Sequence, residues 1–220
     1  LRSLANPLNV QGMARYGINP QNTLGVSMVQ LRAMARRVGR NHQLALELWA
    51  SGIHEARILA ALVDDPRLVT EEQAESWVGA LDSWDVCDQL CGNLLDRTAL
   101  AYRKAEEWCG REETFVKRAG FVLIAQLAVH DKKAGDEPFL GFLPLVRREA
   151  GDDRNFVKKA VNWALRHIGK RNARLNLAAI EMAREIRQMD SRSARWIASD
   201  ALRELTGEAV QQKVRTGVNN

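Results

Sequence analysis

Phe115-Val116-Lys117-Arg118-Ala119 and Phe156-Val157-Lys158-Lys159-Ala160 are two versions of one phrase, about 40 residues apart in a chain of 220. The likeness runs on through residues 115–126 and 156–167. A third version follows, in which Ala201-Leu202-Arg203-Glu204-Leu205 answers Ala164-Leu165-Arg166-His167-Ile168 at nearly the same interval. A phrase repeated at that interval is the mark of stacked units, each too small to bury its own apolar side. It predicts that Arg118, Lys159 and Trp163 stand on neighbouring, parallel elements.

Working outward from the repeats, apolar residues recur at three- and four-residue spacing from Ser27 to Leu205, and no strand-like alternation interrupts them. Met28, Leu31, Met34, Ala35 and Val38 form one stripe. Leu44, Leu46, Leu48 and Trp49 form a short buried helix, and Ile53, Ala56, Leu59, Ala60 and Val63 form a third element. Thr70-Glu71-Glu72-Gln73 is a capping-box start, with Pro66 closing the helix before it. Asp152 or Asp153, Asn172 and Ser191 are further candidate starts, and Gly39, Gly110, Gly151, Gly169 and Gly207 fall where helices end. The expected fold is all-α, a HEAT-like or armadillo-like helical-repeat solenoid with a concave, extended binding face. The competing architecture is a closed bundle whose helices are alike only in being amphipathic. A single domain over 1–220 is expected, with about 1–12 and 207–220 peripheral.

Composition sets bounds on function. With 46% hydrophobic and 27% charged residues the chain has the makings of a sizeable core, and disorder is excluded for most of it. No apolar run approaches the roughly 20 residues that cross a bilayer, and the start lacks a secretory signal, so a soluble, cytoplasmic protein is expected. The three cysteines are odd in number, and the four histidines are scattered, so the expectation is free thiols and no metal site. Gly-rich phosphate loops, Ser-His-Asp arrangements and dinucleotide fingerprints are absent, and no cofactor is expected.

The net charge of +5 is modest but unevenly spread. Between Asp64 and Glu113 acids outnumber bases. From Arg154 to Arg187 the bases Arg154, Lys158, Lys159, Arg166, Lys170, Arg171, Arg174, Arg184 and Arg187 face only Glu181 and Glu185. A basic stretch interleaved with Trp163 and Trp196 is suited to neutralising phosphates; a solvated helix face is the plainer reading.

Ser83-Trp84-Asp85-Val86-Cys87-Asp88 carries the chemistry. An indole and a carboxylate four residues apart share one side of a helix, a pairing suited to a cationic substrate. Asp85 in the same turn is either a support residue, a cap or the functional acid itself. Trp49, Trp77, Trp108 and Trp196 are assigned to packing.

Together, Trp84 to Asp88, the Phe115 to Arg118 unit and the run Phe156-Val157-Lys158-Lys159-Ala160-Val161-Asn162-Trp163-Ala164-Leu165-Arg166 resemble the DNA alkylation repair family of the AlkD type, alkylpurine DNA glycosylases built from HEAT-like repeats. Upstream, Met13-Ala14-Arg15-Tyr16-Gly17-Ile18 and the segment from Leu24-Gly25-Val26 to Leu31-Arg32 resemble that family's opening, although the start up to Tyr16 is shorter and more irregular. The resemblance implies a monofunctional glycosylase that hydrolyses the N-glycosidic bond of cationic N3- or N7-alkylated purines in double-stranded DNA, without metal or cofactor and as a monomer. It implies Asp88 as the catalytic carboxylate, Trp84 and Trp163 as aromatics lining the cleft, and Arg118 and Arg166 as DNA contacts. Lys158, Lys159, Lys170 and Arg171 join them as expected DNA-binding residues, with Asp85 in support. Two other functions stay open: a non-catalytic HEAT protein that binds DNA structures, and a protein-binding scaffold.

Overall fold

Short helices follow from where the sequence sets its caps. The computed structural model describes residues 1–216, and all regular structure among them is helical. The helices are α1 (Pro7–Ala14), α2 (Met28–Val38), α3 (His42–Ala50), α4 (His54–Val63), α5 (Glu71–Gly79), α6 (Trp84–Asn93), α7 (Ala101–Cys109), α8 (Thr114–His130), α9 (Glu137–Glu149), α10 (Asn155–Gly169), α11 (Ala173–Arg187), α12 (Arg192–Leu205) and α13 (Glu208–Thr216). Thr70, Asn172 and Ser191 cap α5, α11 and α12 as expected, each side chain accepting a first-turn backbone N–H. Helix α10 departs from expectation. Its N-cap is Arg154, and Asp152 accepts that residue's backbone N–H instead. Residues 217–220, in the segment expected to be peripheral, lie outside the described residues.

The chain divides into two compact units, residues 1–100 and the remainder from Ala101. In the first unit α4 packs against α2, α3 and α6, and its Ala56, Ile58, Leu59, Ala60, Ala61 and Val63 are buried. Burying Ile58, Leu59 and Val63 contributes about 1.5–3 kcal/mol each, the alanines less. Trp49 and Trp77 stack with ring centroids 4.2 Å apart. The stripe expected on α2 is shallower than its pattern suggests: Leu31 is buried while Val38 is exposed.

One charged residue belongs to the core of this unit. Glu55 is 1% exposed, and its carboxylate accepts from the backbone N–H groups of Leu24 at 2.8 Å, Gly25 at 2.6 Å and Val26 at 3.3 Å. A concave run of amides satisfies a carboxylate as water would, which is why the acid sits there without a cationic partner among the described residues. Gly25 is required at the middle of that run. Its φ is +76°, and a Cβ would lie 2.2 Å from the carbonyl oxygen of Asn6.

In the second unit α7 packs on α8, α8 on α10, and α10 on α11 and α12, so α8, α10 and α12 lie side by side. The repeated phrases therefore meet in space. Phe115 and Phe156, equivalent in the two copies, have ring centroids 5.4 Å apart. The approach of α8 to α7 depends on Gly120, where a Cβ would lie 2.6 Å from the backbone nitrogen of Cys109. Trp108, Phe121, Phe139 and Phe142 are among the largest fully buried side chains.

Candidate functional site

Helix α6 begins with the indole and carboxylate singled out in the sequence. Ser83 is its N-cap residue, but the hydroxyl is diverted to accept the backbone N–H of Asn19 at 3.1 Å. The loop before α2 is thus tied to the start of α6. A second tie fixes the aromatic: the indole Nε1–H of Trp84 donates to the carbonyl of Tyr16 at 3.0 Å. Trp84 and Asp88 are both half-buried, one turn apart. Asp85 contacts the ring Nε2 of buried His54 at 2.8 Å, and its other oxygen is buried without a hydrogen-bond partner. Asp85 thereby ties α6 to α4.

The same helix carries Cys87 and Cys91 on its buried side. Burial, then neighbouring Cys87, then the carboxylates of Asp88 and Asp96 push the Cys91 thiol well above its usual range. These thiols are core groups.

The remaining predicted residues belong to the second unit. Arg118 is 5% exposed and donates to the carbonyl of Phe156 at 2.7 Å, bracing α8 against the first turn of α10. Lys159 is exposed. Trp163 is half-buried and meets the His167 ring edge-on at 5.7 Å.

Along α10, residues 158, 162, 166 and 170 form a row that meets a matching row on α12. Lys158 lies over the Trp196 ring at 5.1 Å. Asn162 and Arg166 donate to Asp200 at 2.7 and 2.8 Å, and Lys170 donates to Glu204 at 2.6 Å. Burial pushes the Asp200 carboxyl up, but hydrogen bonds from Asn162 and Arg166 outweigh it, leaving the group below its usual range. Two of the expected DNA contacts, Arg166 and Lys170, therefore have part of their charge offset by the next repeat. Arg171 has a structural task as well: it donates to the carbonyls of Ala128, Asp131 and Ala134 and lies 4.0 Å over Phe139, closing the C-terminal end of α8. Trp196, expected in the core, is 41% exposed. It occupies on α12 the place that Lys159 holds on α10, which faces solvent.

A basic row in the first unit escaped the sequence reading. Arg32, Arg36 and Arg40 recur at helical spacing along α2 and its end, beside a shallow depression of about 330 Å³ shared with Ala35, Leu62 and Asn93. Arg32, Arg36 and Arg37 are exposed. The signal was present in the sequence as four arginines within nine residues, 32–40.

Fold and site together define a helical-repeat protein with cation-rich faces and an indole–carboxylate pair on one helix. The model of the DNA alkylation repair enzyme family matches residues 1–205, and the chain belongs to that family. It is similar to a Listeria innocua serovar 6a protein, the uncharacterized Lin0241, with 26% identity over 130 residues; the match spans 57% of this chain and 58% of that relative. Among solved structures it is similar to one described as a new family of proteins related to the HEAT-like repeat DNA glycosylases with affinity for branched DNA structures. The TM-score is 0.77 at 19% identity, over 91% of this chain and 90% of that one. This likeness shows the fold, an all-α HEAT-like repeat, which the period of the sequence had indicated.

Proposed function

We propose that the chain hydrolyses the N-glycosidic bond of cationic N3- or N7-alkylated purines in duplex DNA, acting as a cytoplasmic monomer without cofactor. The observation that carries this reading is the pairing on α6 of Asp88 with Trp84, whose indole is held by the carbonyl of Tyr16. An alkylated purine already bears positive charge and departs readily, so the enzyme's task is to stabilise the oxocarbenium-like sugar and present water. A preorganised carboxylate does the first most directly. Asp88 takes that role and positions the water, Trp84 offers its π-face to the developing charge, and Asp85 holds the turn through His54.

Arg118, Lys158, Lys159, Arg166, Lys170 and Arg171 supply the positive field that holds the phosphates. Exposed Lys159 makes direct contact. Nearly buried Arg118 and paired Arg166, Lys170 and Arg171 contribute mainly through that field.

Release of N7-methylguanine and N3-methyladenine from methylated duplex tests this reading, comparing the natural chain with Asp88→Asn at matched DNA occupancy. The expected result is a fall of at least tenfold for the variant. No release by either protein, with DNA binding intact, overturns the enzymatic reading. It would favour the second one, a DNA-structure binder, for which the affinity for branched DNA given for the similar structure is the specific support.

A further inference from the structure

A cavity of about 250 Å³ opens in the second unit where α8 and α10 end, lined by Ala128, Val129, Lys132, His167, Lys170, Arg171 and Lys213. Four of these seven residues are cations, and none is a carboxylate. The cations come from four places: the turn after α8, the C-cap of α10, the residue after it, and α13. Like charges collected from separate elements repel one another unless an anion or a carboxylate lies among them. Part of the charge is accounted for within the fold, since Arg171 is bound to the carbonyls that end α8, Lys170 to Glu204, and Lys132 has a partner of its own. Lys213 has no such use: it makes no ion pair with the described residues, yet α13 holds it at the rim, anchored by buried Val214 beside it.

His167 completes the lining. Burial, then the charges of Lys170, Arg166, Lys213 and His130, lower its imidazole to about 3. At neutral pH it is an uncharged ring that can donate one N–H without adding to the repulsion. Lysine point charges with a single neutral donor suit a compact oxyanion such as phosphate, and the guanidinium fork of Arg171 is already spent on the carbonyls of Ala128, Asp131 and Ala134.

We infer that this cavity is a phosphate-binding site in which Lys132, His167 and Lys213 meet the ligand, while Lys170 and Arg171, engaged within the fold, add to the positive field; it accepts either a free phosphate or a phosphate of the DNA backbone. The inference does not depend on base excision, because its probe is phosphate itself.

The test is a titration of the isotopically labelled full chain with inorganic phosphate at constant ionic strength in chloride, following the His167 ring resonances. The expected result is a saturable shift with phosphate and none with chloride. Lys213→Gln and Lys132→Gln should each weaken it at least fivefold, whereas Arg187→Gln, an exposed cation on α11 away from the cavity, should leave it unchanged. A short unmodified duplex is then added. Displacement of phosphate from His167 names the backbone as the source, and coexistence names free phosphate; either upholds the site. No saturation, or saturation indifferent to both lysine substitutions, overturns it. Loss of glycosylase activity through Asp88→Asn leaves every arm of this test unaffected, so the two proposals fail separately.

Discussion

The indole N–H of Trp84 donates to the carbonyl of Tyr16, 68 residues away in sequence, at 3.0 Å. The plane of the ring is thereby set by the segment before α2 as well as by its own helix. Trp84→Phe keeps an aromatic face and removes the donor. Base release should fall several-fold with the melting temperature within a few degrees of the natural chain, because one exposed hydrogen bond contributes only about 1 kcal/mol. An unchanged rate in a single-turnover assay would show that the orientation of the ring is immaterial.

Glu55 is the pivot of the same segment. Glu55→Ala would leave the half-buried amide of Leu24 and the buried amides of Gly25 and Val26 without an acceptor, and each orphaned buried donor costs about 1–3 kcal/mol. Chemical denaturation of the variant is expected to show a loss of at least about 3 kcal/mol, and proteolysis should strike residues 17–27 first. A loss under about 1 kcal/mol would mean that water replaces the carboxylate.

His167 makes stability depend on pH. Its pKa falls from 6.5 to about 3 on folding, so below pH 6.5 the unfolded chain takes up a proton that the folded one does not. Stability is complete above pH 6.5 and declines by about 1.4 kcal/mol per unit as pH falls towards 3. Between pH 7 and 5 the natural chain should lose about 2 kcal/mol more than His167→Gln. Parallel losses, measured in buffers free of phosphate, would contradict an imidazole held neutral by the fold.

The exposed arginines of α2, Arg32, Arg36 and Arg37, are expected to add to DNA affinity through phosphates alone. Replacing Arg32, Arg36 and Arg37 by Gln should weaken binding equally for methylated and unmethylated duplex. The logarithmic salt dependence should shrink by about 2 to 3, one counterion per lost contact. Binding curves that superimpose on the natural chain's at every salt concentration would exclude these arginines from the interface.

Helix periodicity was legible because it is local, and the repeat because its copies differ little at core positions. Partners across repeats were harder to read. The charge count from Arg154 to Arg187 found only Glu181 and Glu185 opposite nine bases, whereas Asp200 and Glu204, the residues that pair with Arg166 and Lys170, lie just beyond that window. The register contained them, since residues 200 and 204 follow Trp163 and His167 by the same 37 positions that separate Ala164 from Ala201. It also contained the fate of Trp196, which stands 37 positions after exposed Lys159. Thr70 capped its helix as read, but Gln73 turned from the capping box to Asp64 at 2.7 Å, a tertiary choice no local pattern records. Glu55 was invisible for a related reason: its partners are backbone amides, which every sequence has.

All three cysteines are buried, and burial first of all raises the thiols of Cys91 and Cys109 well above their usual range. The nucleophile towards electrophiles is the thiolate, so the folded chain offers an alkylating agent no cysteine thiol to attack. It would keep its thiols through the exposure that damages purine bases. A maleimide reagent would accordingly remain unconsumed until the helices part, and its rate of uptake becomes a direct clock for their opening.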